Sequence, residues 1–224
     1  MTLPTVSVVI PAFNSERFVA EAIESARRQT VSPLEIIVVD DGSTDGTLEI
    51  ARQLPVTVLA LPHAGVSRAR NEGTLSSTGE WIAFLDSDDI WHPEKLARQL
   101  EVALGPERPD IVMAQQSYLF EGPVPPWFRG PLDGTTEPGF QPSNWLLRRS
   151  AWERVGRFDE SLTHSEDTDW LARASDLGLK IRAAEHPLVV HRIHDRNASG
   201  MPEAVRAGVL RALRESVHRK RERT

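Results

Sequence analysis

The sequence predicts an α/β fold in which helices flank a mostly parallel sheet. Short runs of apolar and β-branched residues alternate with longer amphipathic segments up to about residue 114, which is the pattern of strands joined by crossover helices. Turn residues and paired acids follow the ends of several apolar runs. At 224 residues, the chain is long enough for one large domain with a substantial hydrophobic core.

Each element of the first half has a local signal. Apolar residues recur at helical spacing between Phe18 and Ala26, and Ser15 is expected to cap that helix. Pro93 suits the first turn of a later helix. The predicted strands are Thr5–Ile10, Leu34–Val39, Thr57–Leu61, a run that starts at Trp81, and Ile111–Ala114. The predicted helices are Ser15–Gln29, Asp45–Gln53, Val66–Leu75 and Pro93–Ala103.

The second half begins with a long irregular segment, Glu121–Ser143, that is rich in Pro and Gly. Its aromatic residues Trp127, Phe128 and Phe140 leave two interpretations open, a lid over a substrate or an insertion packed by its own aromatics. The segments predicted after it are an apolar run at Trp145–Leu147, helices at Ser150–Val155 and Glu166–Leu177, strands at Lys180–Ala184 and Leu188–His191, and a final helix from Pro202.

Composition excludes several classes of function. The formal net charge of -6 argues against general nucleic-acid binding. The absence of cysteine excludes disulfides, thiolate nucleophiles and cysteine-ligated zinc. Without a leader-like N-terminus or an apolar run of roughly 18 residues, we expect a cytoplasmic protein.

The tail concentrates positive charge. Its basic residues suit either a solvated helix face or a weak contact, peripheral to the inner face of a membrane, with anionic lipid. They are Arg206, Arg211, Arg214, Arg219, Lys220, Arg221 and Arg223.

Polar clusters follow four of the predicted strands. They are Pro11–Asn14, Asp40–Ser43, His63–Gly65 and Asp86–Asp89. Because ligands bind at the carboxyl ends of the strands in open α/β sheets, we expect one rim of the sheet to form a ligand site.

The acids at this rim indicate phosphate chemistry through a metal ion. Asp86-Ser87-Asp88 directly follows an apolar strand, where one or two carboxylates can hold Mg²⁺ or Mn²⁺ that also binds diphosphate oxygens. The chain has neither a Gly-x-Gly-x-x-Gly loop nor a Gly-Lys-Ser/Thr loop, so dinucleotide and P-loop modes are unsupported.

Six segments of the chain have a recognisable order and pattern, namely Val6–Asn14, Ile37–Asp45, Gly65–Gly73, Phe84–Asp89, Leu147–Glu160 and Ser165–Trp170. In this order they resemble the signature segments of family 2 glycosyltransferases, which are inverting enzymes that use nucleotide-sugar donors. The first four resemble donor-side segments, and the last two resemble acceptor-side segments. The resemblance implies a GT-A type, Rossmann-like fold. It divides the chain into a donor-binding half at residues 1–114, an acceptor-binding half of the same domain at 115–200, and a basic C-terminal helix at 201–224.

The resemblance also implies roles on the donor side. Pro11, Ala12 and Phe13 would line the nucleoside pocket, with Phe13 against the base. Asp41 would accept a hydrogen bond from the imide of the base, which a UDP- or dTDP-sugar offers.

The resemblance also implies roles for residues near the diphosphate and the metal. Asp86 would meet the ribose or share the metal, and Asp88 would be the direct ligand of Mn²⁺ or Mg²⁺. Asp89 would cap the following helix. Arg70 would lie near the donor, although an arginine on a helix is also a common surface ion-pair partner.

Asp167 resembles the catalytic base of the family, with Glu166 and Asp169 as competitors, while an acidic triplet can also simply favour the start of a helix. His194 would complete the metal site or contact diphosphate, and Arg192 would add charge at the leaving group.

The acceptor stays open among a glycan, a lipid-linked molecule, a peptide and a small molecule. A nucleotide-sugar hydrolase and a non-catalytic nucleotide-sugar-binding protein remain alternatives, whereas a receiver domain would be roughly half this length.

Overall fold

A computed structural model describes residues 3–195, 197 and 202–222 of the chain. The strands are β1 (Val6–Ala12), β2 (Glu35–Asp40), β3 (Thr57–Ala60), β4 (Trp81–Phe84), β5 (Ile90–Trp91), β6 (Ile111–Phe120), β7 (Glu137–Pro138), β8 (Leu146–Arg148) and β9 (Ile181–Ile193). The helices are α1 (Val19–Arg27), α2 (Thr47–Arg52), α3 (Val66–Ser76), α4 (Lys95–Leu104), α5 (Arg149–Val155), α6 (Glu166–Asp176) and α7 (Pro202–Glu222), with a 3₁₀ turn at Pro142–Asn144.

The described strands form one mixed sheet in the order β3-β2-β1-β4-β8-β6-β9-β5, with β7 paired to β6. The first four strands of that order are parallel, and Ala12 is in register with Asp40. Their carboxyl ends therefore meet at one rim, as predicted. The antiparallel pairings involve strands of the second half or the short β5. The predicted α/β fold with flanking helices is confirmed.

Successive side chains of β1 point to opposite faces of the sheet, and each face has its own hydrophobic core. Val8 is buried with α1 and α4 on one face, while Val9 is buried on the other with Ala69 of α3 and with Trp145 and Trp170 of the second half. Both faces are covered, and the two central parallel strands β1 and β2 are accordingly mostly apolar and almost entirely buried.

Two local predictions need correction. Ser15 is not the cap of α1, which begins at Val19 after Phe18. The hydroxyl of Ser15 instead lies 2.7 Å from the hydroxyl of Ser87, across the rim. The two strand runs predicted after Lys180 form the single strand β9, because a register shift opposite Pro187 accommodates the polar interruption.

The C-terminal helix begins at Pro202 as predicted. Arg223 lies outside the described residues, as do the side chains of Lys220 and Arg221. Within the described part of the chain, the helices are too short or too polar to cross a membrane.

Candidate functional site

A cavity of about 610 Å³ opens at the rim where the parallel strands end. The loops after β1, β2, β3 and β4 line one side, and the start of α6 lines another. Eight of the nine predicted site residues contribute to its wall, namely Pro11, Ala12, Phe13, Asp41, Arg70, Asp86, Asp88 and Asp167. His194, the ninth, reaches the site through its contact with Asp88.

Asp41 is buried and shapes the turn after β3. Its Oδ1 accepts a hydrogen bond from the backbone N–H of Ala64 at 2.9 Å, and its Oδ2 accepts one from Gly65 at 2.8 Å. Nδ1 of His63 lies 2.8 Å from the same Oδ2. The neighbouring Gly42 has a φ of +73°, and a Cβ there would lie 2.7 Å from the backbone N of His63. The carboxylate of Asp41 therefore already serves three protein donors, and its contact with a nucleobase stays a prediction.

Phe13 is 42% exposed and stacks on the imidazole of His63, with the ring centroids 4.1 Å apart. One face of Phe13 is therefore covered by His63, which was predicted to lie at the rim but without a role of its own. The pairing joins the loops after β1 and β3, which only the folded sheet brings together.

Arg70 is buried and links two parts of the cavity. Nη2 lies 2.7 Å from Oδ1 of Asp86, and Nη1 lies 2.6 Å from Oε1 of Glu166. Burial alone would lower the pKa of Arg70, but the two carboxylates raise it above its ordinary value. The alternative of a surface ion-pair partner is wrong.

The loop of Asp86–Asp89 is fixed by bonds from distant segments. The backbone N–H of Asp86 donates to Oγ of Ser143 at 2.9 Å. Oδ2 of Asp88 lies 3.0 Å from Nε2 of His194 and accepts from Nδ2 of Asn197 at 3.4 Å.

Asp89 does not cap the helix that follows. Its Oδ1 lies 2.8 Å from Nδ1 of His191 and accepts the backbone N–H of Arg192 at 3.1 Å. This buried carboxylate thus connects the Asp86–Asp89 loop to the end of β9.

Arg192 does not face the place expected for a leaving group. Its Nε donates to the backbone oxygen of Asp88 at 3.0 Å, and its guanidinium forms ion pairs with Glu21 and Glu121. The side chain is buried over the ring of Phe18. Arg192 therefore holds the Asp86–Asp89 loop in place, and its two acidic partners could not be predicted because they are distant in sequence.

His191 lines the cavity, although no role was predicted for it from the sequence. Burial by itself would lower the pKa of His191, but Asp89, Asp88 and Asp86 raise it to about 9. The imidazole is therefore a cation at neutral pH, beside the acids that were expected to handle phosphate.

The donor atoms around Asp88 fit a divalent cation that is shared with a ligand. Among the described residues, no group of three or more His, Asp or Glu side chains is arranged to hold a metal alone. A carboxylate oxygen of Asp88 and the adjacent imidazole of His194 are ligands that Mn²⁺ accepts, and Mg²⁺ is commonly held by one or two carboxylates plus phosphate oxygens. Asp86 is less available because it is paired with Arg70.

Asp167 lies in the first turn of α6, after Ser165 with its unusual φ of +62°. Burial, and then the charge of Glu166, raise the pKa of Asp167 to about 6, while Arg70 opposes the shift. Its Oδ1 accepts the backbone N–H of Thr168 at 2.6 Å.

The two competitors of Asp167 are both paired with arginines. Glu166 binds Arg70, and Oδ2 of Asp169 lies 2.8 Å from Nε of Arg173. Of the acidic triplet, Asp167 is the carboxylate without an arginine partner in the described structure, which makes it the best placed to accept a proton.

The long insertion divides into two parts. In its middle, Phe128 packs mainly on β6, where it meets Tyr118 and Phe120 edge-on with ring centroids 4.8 and 5.1 Å apart. Its contact with Trp127, another aromatic of the insertion, is longer at 6.5 Å. Its end, from Glu137 to Pro142, lines the cavity.

Comparison with known proteins agrees with the geometry of the rim. The profile of the family described as "Glycosyl transferase family 2" matches residues 7–156, which is more than half of the chain. EpsJ of Bacillus subtilis, described as an uncharacterized glycosyltransferase, is 30% identical over 222 residues, which cover 89% of this chain and 64% of EpsJ.

Two solved structures share the fold. Residues 1–349 of TarS from S. aureus, in complex with UDP-GlcNAc, superpose with a TM-score of 0.75 at 21% identity, covering 96% of this chain and 66% of that one. The mannosyltransferase PcManGT from Pyrobaculum calidifontis, in complex with GDP-Man and Mn²⁺, gives a TM-score of 0.77 at 18% identity, covering 97% and 65%. The match thus covers slightly less than two thirds of EpsJ, of residues 1–349 of TarS and of PcManGT. By the extent of its match to the family profile, the chain belongs to glycosyl transferase family 2.

Proposed function

We propose that this chain is an inverting, metal-assisted glycosyltransferase that moves a sugar from a UDP- or dTDP-linked donor to a hydroxyl acceptor. The observation that carries the proposal is that Asp167, with a pKa raised to about 6, shares one cavity with Asp86 and Asp88. A base and a diphosphate site on opposite sides of one cavity are what a single displacement requires.

Asp167 takes the proton of the acceptor hydroxyl. A pKa near 6 leaves the carboxylate mostly ionised at neutral pH and more basic than an ordinary aspartate. As the acceptor oxygen forms its bond to the anomeric carbon, the bond from that carbon to the diphosphate oxygen breaks on the opposite face, which inverts the configuration.

Asp88 and His194 would hold Mn²⁺ or Mg²⁺, with Asp86 nearby and braced by Arg70. When bound, such an ion supplies Lewis-acid stabilisation of the negative charge on a departing diphosphate. The complex of PcManGT with GDP-Man and Mn²⁺ supports a divalent ion in this fold.

The nucleoside would lie beside Pro11, Ala12 and Phe13. Stacking on Phe13 uses the ring face that His63 leaves free, or displaces His63, whose ring is more than half exposed. The choice of UDP or dTDP rests on Asp41 as the acceptor for an imide N–H, and the complex of TarS with UDP-GlcNAc is consistent with it.

We also propose a weak contact between α7 and an anionic membrane surface. The helix exposes Arg206 and Arg214 together with Leu210 and Val217, which are 45% and 51% exposed. Flotation with vesicles of anionic and of neutral lipid tests this, and equal recovery with both would contradict it. The cytoplasmic location stays a prediction.

The direct test of the donor is a thermal-shift screen of UDP-, dTDP- and GDP-sugars with and without Mn²⁺, followed by mass spectrometry of the products. The proposal predicts stabilisation by a UDP- or dTDP-sugar that grows with Mn²⁺, and transfer to an acceptor. Release of free sugar as the only product would favour the hydrolase, and no shift with any nucleotide would contradict the proposal.

A further inference from the structure

We propose that the end of the insertion, Glu137–Gln141, is an acceptor subsite for a neutral pyranose ring, with Phe140 as its stacking platform. The inference rests on the proposed function and names the acceptor class of the same cavity. Phe140 is 64% exposed, yet it lies in the cavity wall that also contains Asp167. Leu132, in the same insertion, is equally exposed at 66% but lies outside that wall.

The segment is held as a fixed wall. Pro138 of β7 is in register with Gln115 of β6, and the backbone N–H of Gly139 donates to the carbonyl of Ala114 at 3.0 Å. A Cβ at Gly139 would lie 2.1 Å from Cγ of Asn144, so the close approach requires glycine. A wall built in advance lowers the entropic cost of binding a ligand.

The backbone of Phe140 is also connected to α6, the helix that carries the proposed catalytic base Asp167. Nε1 of Trp145 donates to the carbonyl of Phe140 at 2.9 Å, and the ring of Trp145 lies 5.5 Å from that of Trp170. Trp170 follows Asp167 by three residues on α6, so both lie on the same side of that helix. One aromatic cluster therefore positions the exposed ring relative to Asp167.

Hydrogen-bonding groups flank the ring. Glu137 accepts the hydroxyl of Tyr118 with Oε1, and no hydrogen bond among the described residues uses its Oε2. Gln141 accepts from Asn144 with Oε1 at 3.4 Å, and its Nε2 is likewise unused among the described residues. A hydrogen-bond acceptor on Glu137 and a hydrogen-bond donor on Gln141 are thus available on either side of Phe140, and both residues line the cavity.

This arrangement suits a pyranose better than an alkyl chain or a phosphate. A sugar ring presents C–H groups to the electron-rich face of an aromatic ring and hydroxyls at its edge. A long alkyl chain would cover Oε2 of Glu137 without offering it a hydrogen-bond donor. A phosphorylated group would meet Glu137 and the acids of α6, which repel it.

The test measures binding of methyl pyranosides, 1-octanol and glycerol 1-phosphate by saturation-transfer NMR. This measurement needs no nucleotide-sugar. We expect binding of at least one methyl pyranoside, weakened about tenfold in Phe140→Ala and retained in Phe140→Trp. Leu132→Ala is the matched control, and it should bind like the wild type. All three substitutions alter exposed side chains, and measurement of thermal unfolding checks that each variant folds.

Two results would contradict the proposal that Glu137–Gln141 forms a pyranose subsite. One is equal pyranoside binding by Phe140→Ala and Leu132→Ala, and the other is binding of octanol or glycerol phosphate with no pyranoside bound. A failure of the proposed function is distinguishable, because it appears as wild-type protein that binds no nucleotide-sugar in the thermal-shift screen, whatever the NMR result.

Discussion

Nη1 of Arg70 lies 2.6 Å from Oε1 of Glu166, and this bond joins the donor rim to the helix that carries Asp167. The second arm of the same guanidinium binds Asp86 at 2.7 Å. Arg70 is 3% exposed, so its guanidinium is shielded from water, whereas the side chain of Asp86 is 24% exposed. One planar side chain therefore fixes the distance between the acids expected at the diphosphate and the expected base.

Replacing Arg70 should damage stability as well as activity. Arg70→Met leaves two carboxylates without their cation, and removing one partner from a buried ion pair costs about 3–5 kcal/mol. Chemical denaturation measures this directly. Arg98→Ala is the control, because Arg98 forms exposed ion pairs with Glu94 and Glu101, which are worth about 0–1 kcal/mol. Equal losses in the two variants would contradict the linking role of Arg70.

The rate of transfer should depend on the ionisation of Asp167. Because burial and Glu166 raise its pKa to about 6, the fraction of active base falls as pH drops through 6. We expect kcat/KM to be flat above about pH 7 and to fall close to tenfold per pH unit below 5.5. A profile that stays flat to pH 4.5, in protein that circular dichroism shows to be folded, would exclude Asp167 as the base.

The same raised pKa predicts a cost in stability. The folded-state pKa lies above the unfolded value, so the contribution of Asp167 to stability is complete below about pH 4 and is lost as pH rises through 6. Asp167→Asn escapes this loss and should be more stable than the wild type at pH 8, by about 1–3 kcal/mol for a shift of roughly two units. The gain should disappear near pH 4.

Asp159→Asn is the control, because folding shifts the pKa of Asp159 in the opposite direction. The hydrogen bond from Ser161 lowers the pKa of Asp159, so its charged form is favoured by folding. We expect no stabilisation at pH 8 from this substitution. Thermal unfolding of the two variants and the wild type at pH 4, 6 and 8 tests both signs.

The rim could be predicted because its signals are local. The runs that end at Ala12, Asp40 and Phe84 are mostly apolar, and parallel pairing brings the polar residues at their carboxyl ends together without further information. The start of α6 was also predictable, since Glu166 and Asp167 lie in its first turn.

The ion pairs and hydrogen bonds that hold the rim loops in place could not be predicted, because they join segments that are distant in sequence. Arg192 pairs with Glu21, and Asp89 pairs with His191, across more than a hundred residues in each case. Periodicity and turn chemistry report on neighbours in sequence only. A buried arginine or carboxylate takes whichever partner the fold offers, so Arg192 and Asp89 were assigned wrong roles.

The central claim is that Asp88 serves the diphosphate and its cation while Asp167 serves the acceptor, within one cavity. Isothermal titration of UDP into Asp88→Asn and Asp167→Asn, with and without Mn²⁺, tests that division most directly. We predict that Asp88→Asn loses the Mn²⁺-dependent part of UDP binding, whereas Asp167→Asn binds UDP within about twofold of the wild type and transfers no sugar. Equal loss of UDP binding in both variants, or full Mn²⁺-dependent binding by Asp88→Asn, would contradict the claim.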